Sequence, residues 1–573
     1  MTIFSSQVLA NSDFFTSAFP SEYGNALSGV FDMKFRNGNK YKREYAFQLG
    51  LQGIDLSAEG PFKKGSDATY LFNYRYSVFG FLQLFDETMK NKVPSYQDLS
   101  FKLNFPTKSL GSFSVFGIGG IAKSKYDPEK DSSLWKTYED VTMSVLNNKT
   151  GTVALTHNII IGPKTYINTM LSGSYNEVQW EKGIMNTLYN INKTDDANYK
   201  TSKISFNTFI NHKFSPHLTN KTGFEFKRLF YDVRVSAQNP FSGIYSEYLN
   251  DNGGTNLIQA YTQNKIDITD NIGFNAGVHF SYFTLNKNYS VEPRVSMRWA
   301  FTPTQAISFG YGNHSQIEDI AVYLSKKQLT DGTTTIPNVN LDLGRANHFV
   351  AGYDKMFSQN LHLKIEAYYQ HLYNIPVRPN NYYSMLNNPG GYFNDSLVNG
   401  GTGKNFGVDI TFEKFLSYNF YYLLTASVFQ SKYKGGDGME RNSRFNTGYV
   451  FNLLIGKEFN VTKNNILGIN LKTSYTGGEY YIPIDLASSI SQSREVMDES
   501  RIYTERLPDF FYVDFTLTYK MNYKKFSGTF ALQIKNLLDQ KPDAGYVYNP
   551  YAKIIEKQIN LGIVPMISYK IEF

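Results

Sequence analysis

The chain has 573 residues, with 57 Lys and Arg against 50 Asp and Glu for a formal net charge of +7, and no cysteine. The lack of cysteine excludes a disulfide scaffold, a thiolate metal site and a cysteine nucleophile, and the mild charge, without a dense Lys/Arg run, excludes a nucleic-acid patch. Aromatics at 16% and charged residues at 19% argue against disorder, and even the apolar run FGFLQLF at 79–85 falls far short of the ~18 residues of a transmembrane helix.

The first residues, MTIFSSQVLANSD, have neither the basic start nor the apolar core of a secretory signal. The chain therefore reads either as cytoplasmic or as lacking its true N-terminus. Residues 17–39, SAFPSEYGNALSGVFDMKFRNGN, do not alternate as the later segments do; Gly24 and Gly29 suggest close backbone approaches or turns.

From Glu44 onward the period is two. Tyr45, Phe47, Leu49 and Leu51 alternate with Glu44, Ala46, Gln48 and Gly50. The first three predicted strands are 44–51, 55–62 and 68–77. In 361–370 the set Leu361, Leu363, Ile365, Ala367 and Tyr369 opposes His362, Lys364, Glu366, Tyr368 and Gln370. In 511–521 the odd positions are apolar, and the polar side carries Asp514, Thr516 and Thr518. Phe526, Phe530 and Leu532 repeat the pattern against Ser527, Thr529 and Ala531. Such alternation gives a strand with one apolar and one polar face. No comparable stretch sustains a helical period.

Many of these strands are longer than the ~5–6 residues usual in globular proteins and reach the ~9–11 that a tilted strand needs to cross a bilayer. The connections alternate short and long. Gly162-Pro163-Lys164, Ser215-Pro216-His217, Thr269-Asp270-Asn271 and Ser358-Gln359-Asn360 are turn chemistry. The segments 126–148, 179–199, 237–255, 315–343, 373–401, 477–508 and 539–558 are polar and read as long loops. That rhythm is the one of outer-membrane barrels. Counting from Glu44 predicts 22 strands, the last over 559–573. The fold class is all-β: a 22-stranded antiparallel transmembrane β-barrel. Its chain end, VPMISYKIEF, places Ile567, Tyr569, Ile571 and Phe573 on one face and resembles the C-terminal signature that the barrel assembly machinery recognises.

A barrel of this size encloses more space than its own side chains fill, and plugged transporters have this size. The stretch NSDFFTSAFPSEYGNALSGVFDMKFRNGN resembles the end of the plug domain of TonB-dependent receptors, especially those of Bacteroidetes. REYAFQLGLQGIDLSAEGPF and YLFNYRYS resemble that family's first barrel strands, and RANHFVAGYDKMF, LPDFFYVDFTLTYK and IVPMISYKIEF extend the likeness to the chain's end. The resemblance implies a plug end over 1–38 and a barrel over 39–573. It implies a Gram-negative outer-membrane location, contact with outer-membrane lipid, coupling to the TonB complex and uptake of a small-molecule or metal-chelate ligand. The family's signal peptide, TonB box and most of its plug are expected before Met1, which leaves the coupling of this polypeptide open.

The matched plug end carries Glu22, Tyr23, Gly24, Gly29 and Arg36. Glu22 and Arg36 either pair with lumen charges, with Lys364, Glu366 and Asp514 as candidate partners, or are ordinary solvated charges. His362 shares the polar face of its strand and lines the lumen on this reading.

Asp127, Glu129 and Asp131 begin like a calcium loop, but no central Gly or closing Glu follows, position twelve is Tyr138, and Lys125 and Lys130 neutralise the group. They read as solvated charges. Gly400 to Lys404 fails as a phosphate loop, because Val398 and Asn405 replace the required Gly and Ser/Thr. Trp135, Trp180, Tyr245, Tyr382 and Tyr383 are loop aromatics that either contact a ligand or pack the loops.

No catalytic constellation, cofactor site or metal site stands out, and no nucleic-acid partner is expected. The expected function is TonB-dependent uptake of a scarce, bulky nutrient, with a ferric siderophore as the family's most frequent cargo. The alternative is a passive pore or ligand-binding barrel without energy coupling.

Overall fold

The computed structural model describes residues 3–16, 18–77, 94–135, 137–239, 243–329, 331–388 and 395–573. The apolar run at 79–85 lies outside them. Among the described residues, 22 strands close into one antiparallel barrel. In chain order they begin with β1 Glu44–Gly50, β2 Gly53–Pro61, β3 Thr69–Tyr76, β4 Ser95–Pro106 and β5 Ser112–Tyr126. The tallest wall follows: β6 Thr142–Gly162, β7 Thr165–Met185, β8 Ile191–Ser215, β9 Leu218–Gln238 and β10 Tyr245–Thr269. Next come β11 Ile272–Phe283, β12 Asn288–Thr302, β13 Gln305–Gln316, β14 Gly344–Ser358, β15 Leu361–Val377 and β16 Val398–Ser417. The last six are β17 Phe420–Lys434, β18 Tyr449–Asn460, β19 Asn465–Thr476, β20 Phe510–Asn522, β21 Ser527–Lys535 and β22 Val564–Glu572.

Closure is made by the chain's own end. β22 pairs with β21 on one side and with β1 on the other, Ile571 opposite Phe47 and Tyr569 opposite Leu49. Closure leaves no unpaired edge, the condition under which strands can stand in hydrocarbon. The alternating apolar set faces outward: Tyr45, Phe47 and Leu49 on β1, Phe511 on β20, and Ile567 and Tyr569 on β22 are all exposed to the surroundings of the barrel. Among the described residues no helix is long and apolar enough to cross a membrane, so crossing falls to the strands.

Two expectations need correction. Segments 179–199 and 237–255 are not loops over their whole length. β7 to β10 run on for 21, 25, 21 and 25 residues, with Glu181 opposite Asp196 and Val235 opposite Leu249. Above the apolar girdle the outward positions turn polar, as at Asp232 and Arg234, while inward Val233, Val235 and Leu249 are buried, so the outward apolar alternation ends while the hydrogen-bonded ladder continues. The last strand is also shorter than 559–573. Asp543–Asn549 and Ile554–Ile559 form a separate hairpin, and β22 starts at Val564.

The outer loop after β13 was expected to be wholly polar, and its start is not. Its helix α1, Ile320–Leu324, begins at Asp319, whose side chain accepts from the Ala321 amide. Ala321, Val322, Tyr323 and Leu324 are buried in the upper barrel against Val233, Leu249, Leu257 and Phe283. Burial of a Val or Leu side chain is worth about 1.5–3 kcal/mol, so this loop is held by a core and not only by its ends.

Candidate functional site

Ahead of β1, described residues 18–25 and 35–39 bond to inward-facing side chains of the barrel. The short hairpin Asp13–Thr16 with Gly29–Asp32 is the regular part of the segment before β1. Between its strands, residues 18–25 dock on β9 to β13. Arg294 on β12 is the centre of that contact. Its Nη1 donates to the carbonyls of Pro20 and Tyr23, both at 2.6 Å, and its Nη2 to Glu292 at 2.6 Å. Glu292 is wholly buried and also accepts from the hydroxyls of Ser290 and Ser315. Both groups point inward because β12 alternates: Val291, Pro293 and Val295 take the outward, exposed side.

Neighbouring side chains hold the same turn. The Ser21 amide donates to Gln263 at 2.8 Å. His279 Nδ1 lies 2.8 Å from the Ser21 carbonyl, which can only accept, so the proton sits on Nδ1 and Nε2 receives Gln259. Phe19 stacks on His314 at 3.9 Å and lies 4.7 Å from the Arg294 guanidinium.

The sequence-derived residues fall as follows. Glu22 pairs with Lys221 of β9. The Tyr23 hydroxyl donates to Asp32 at 2.9 Å. A Cβ on Gly24 would run into His279 and Gln259, and one on Gly29 would stand 2.8 Å from the Phe15 carbonyl oxygen. Both positions therefore require a close backbone approach. Arg36 forms a two-pronged pair with Glu59 of β2 at 2.7 and 2.6 Å, and its Nε donates to the Gln7 carbonyl. Lys102 of β4 adds a bond to the Phe35 carbonyl.

The candidate partners Lys364, Glu366 and Asp514 are not the ones used. Lys364 pairs with Glu366 at 2.8 Å and Asp514 with Lys535 at 2.8 Å. His362 stands between Asp354 and Glu413, at 3.3 and 3.2 Å. All four are on the inward face, but on β15 and β20 and not on the strands that residues 18–25 meet, and the direction in which a turn docks is not written in strand alternation. At the chain end, Phe573 exchanges backbone bonds with Tyr45 and its ring lies 5.7 Å from the Tyr45 ring. Ile567, Tyr569 and Ile571 belong to the closing strand.

Above residues 18–25 lies a cavity of about 580 Å³. Asn25 forms its floor, and the start of the inward-folded loop, Gln316 to Ile320, forms one side. Thr150, Thr152, Ser174 and Asn176 supply hydroxyl and amide groups, and Tyr199, Tyr231 and Phe283 supply rings. Asn25 Oδ1 accepts from the Ile317 amide at 2.9 Å, which ties the floor to the loop. Burial, and then the negative charge of Asp319, push the Glu318 carboxyl up to about 7. Asp319 accepts from the Tyr199 hydroxyl. This volume falls in the range of small-molecule sites.

Other motifs resolve as local structure. Asp131 caps Ser132–Leu134, Lys125 pairs with Asp127, and no group of three acidic or His residues among the described ones could hold a metal ion. Gly400 to Lys404 are part of β16. Trp135 donates to the Glu129 carbonyl and packs on Tyr551. Tyr382 and Tyr383 lie in the loop after β15.

Sequence reasoning did not single out Asn25, Lys221, Glu292, Arg294, Glu318 or Asp319. One signal was available for the strand pair: Glu292 and Arg294 are opposite charges two apart on a polar face between apolar neighbours.

The family model described as TonB dependent receptor-like, beta-barrel, matches residues 9–537. No curated protein sequence matches. Among solved structures, the siderophore receptor PiuA from Acinetobacter baumannii is 12% identical with a TM-score of 0.69, over 99% of this chain and 86% of that one. The ferric yersiniabactin uptake receptor FyuA from Yersinia pestis is 12% identical with a TM-score of 0.70, over 98% and 85%. FpvA from Pseudomonas aeruginosa, in complex with an iron-loaded pyoverdine, is 12% identical with a TM-score of 0.73, over 99% and 76%. At such identity the likeness is one of fold.

Proposed function

The chain belongs to the TonB-dependent receptor β-barrel family, and we propose that it imports a bulky, scarce nutrient across the outer membrane with energy delivered through TonB. The barrel is an outer-membrane one. The reading takes residues 1–38 as the end of a plug of the Bacteroidetes type, residues 39–573 as the barrel, and a ferric siderophore as the cargo class. The observation that carries it is the docking of residues 18–25 by the buried Arg294–Glu292 pair directly beneath a cavity of about 580 Å³. A segment held inside the lumen by a fully desolvated pair closes the route. A ligand resting on its apex, at Asn25, meets both the closure and the outer loop tied to it.

Lipid around the apolar girdle, the barrel assembly machinery at the chain's final strand and the TonB complex are the partners this reading names. The test is uptake of a radiolabelled ferric chelate by cells that carry the gene, under iron limitation. Uptake should stop on deletion of the gene, on loss of TonB and on addition of a protonophore. Uptake that persists without TonB and with the protonophore would replace this reading with a passive pore.

A further inference from the structure

The outward face of β4 to β9 carries an apolar groove of about 810 Å³. Leu99 and Ile121 border it on one side, Ile204 and Phe230 on the other, and all four are exposed. Its floor is glycine. Gly119 of β5 and Gly151 of β6 stand directly opposite each other, and Gly173 of β7 lies between Val153 and Ile204. The three share the outward parity of Ile121, Val153 and Tyr175.

Glycine weakens a strand, and inside one it marks a bulge or a close approach. The ladders run without a register shift at all three positions, so these are not bulges. Nor does the barrel itself require them. A Cβ on Gly173 would meet nothing within 4 Å, and on Gly151 and Gly119 its nearest neighbours would stand at 3.7 and 3.4 Å, ordinary contact distances. Gly117 of β5 differs, since a Cβ there would come within 2.6 Å of the Phe101 ring. The space over Gly119, Gly151 and Gly173 is left for something outside the chain.

The rim says what kind of molecule. β6 and β7 meet in the turn at Gly162 to Thr165, so Lys149 and Glu177 lie on the outer-loop side of the glycines. Lys149 pairs with Glu177 at 3.0 Å, and Lys200 with Asp232 at 3.2 Å. Arg228, opposite Ile204, lies over the Phe230 ring at 5.2 Å and donates to Asn256. Arg228 and Lys123 pair with no carboxylate among the described residues. An excess of positive charge therefore borders an apolar floor.

We propose that this groove is a lipid site, which seats an acyl chain of an anionic phospholipid on the three glycines and draws its phosphate to Lys149 and Arg228. Such a lipid presents a chain and, next to it, an anion, in the order in which the groove presents glycines and then cations. A protein segment in the same place would have to carry its carboxylates to the edge of the hydrocarbon, which is costly. The inference rests on the barrel standing in the outer membrane and not on its cargo or its energy coupling.

The experiment is native mass spectrometry of the full chain released from detergent, titrated with phosphatidylglycerol and with phosphatidylcholine of identical chains. Phosphatidylglycerol should be retained as a one-to-one adduct at least about fivefold more tightly. Gly151→Leu with Gly173→Leu fills the floor and should weaken that adduct about tenfold. Lys149→Gln with Arg228→Gln leaves the floor open and should bring phosphatidylglycerol down to the level of phosphatidylcholine, whose own retention stays unchanged. A shift of gel migration on boiling certifies that each variant retains a folded barrel. Equal retention of the two lipids by the parent chain, or an adduct that survives both pairs of substitutions, overturns the proposal. So does a dimer of the chain that the two leucines abolish while the lipid adduct stays, because the groove would then belong to a second copy.

Discussion

Two stretches of the same lumen wall, three strands apart, carry ion pairs of the same chemistry and opposite physical weight. On β12, Glu292 and Arg294 have side chains that are 0% and 4% exposed. On β15, three strands further round the barrel, Lys364 and Glu366 have side chains that are 41% and 28% exposed. Both pairs are i,i+2 on the polar face of a strand, and both join an acid to a base at less than 3 Å. The difference is what lies over them. Residues 18–25 cover the first pair and strip its water, so either charge alone would be stranded. Water reaches the second, and each of its charges is solvated without the other. An inward charge pair in a barrel is thus a lock only where something docks on it.

The largest expected effect comes from breaking the covered pair. Arg294→Ala leaves Glu292 buried and unpaired and removes the donors to Pro20 and Tyr23, a loss of about 3–5 kcal/mol. Residues 18–25 should detach, and trypsin should then cut after Lys34 while boiled and unboiled samples still migrate differently. Protection equal to that of the parent would erase the distinction between the two stretches.

Arg36→Ala comes next. Its pair with Glu59 is two-pronged but reached by water, so the expected loss is about 1–2 kcal/mol. Thermal unfolding of the N-terminal segment, followed by the same cleavage, should show a smaller shift than Arg294→Ala.

A third effect depends on pH. The carboxyl of Glu318 is raised by burial and by Asp319 to about 7, and that of Asp319 is raised by burial. An acid raised in the folded state prefers its protonated form there. The loop that carries these groups is therefore most firmly docked below pH ~4.5, the ordinary Glu value, and loses stability as pH rises through about 7. Tyr323 faces Glu318 and stays neutral across this range, since burial raises its hydroxyl. Hydrogen exchange at the α1 amides, corrected for the intrinsic effect of pH, should speed several-fold between pH 5 and 8. Glu318→Gln should flatten most of that slope.

The smallest effect is expected from Lys364→Ala, at about 0–1 kcal/mol, because an exposed pair contributes little. A loss as large as that of Arg294→Ala would mean that the second stretch is also covered in the working protein.

Much of the barrel was legible in the sequence for a simple reason. A strand with lipid on one side and water on the other must alternate, so Tyr45, Phe47 and Leu49, or Phe511 and Val513, announce both the element and its outward face. Turn residues mark the short connections, and parity then fixes the strand count. The heights of β7 to β10 were not legible, because above the girdle the outward face turns polar and the inward face turns apolar only where a distant loop packs on it, at Val233, Val235 and Leu249. The candidate site was legible only in part. Arg36 and Glu22 were visible as charges in a segment that does not alternate, but their partners Glu59 and Lys221 were not, because partners across a lumen are set by how the turn sits.

The sequence by itself determined the all-β barrel, its 22 strands and the inward and outward faces of its alternating segments. Local chemistry dictates these features, since each follows from residues adjacent in the chain or from a periodicity of two. Only the tertiary structure decided that Arg294 is buried and Lys364 is not, that Asn25 lines a cavity, and that Glu318 and Asp319 line it too. Desolvation depends on what a distant segment covers, and no pattern along a strand records it.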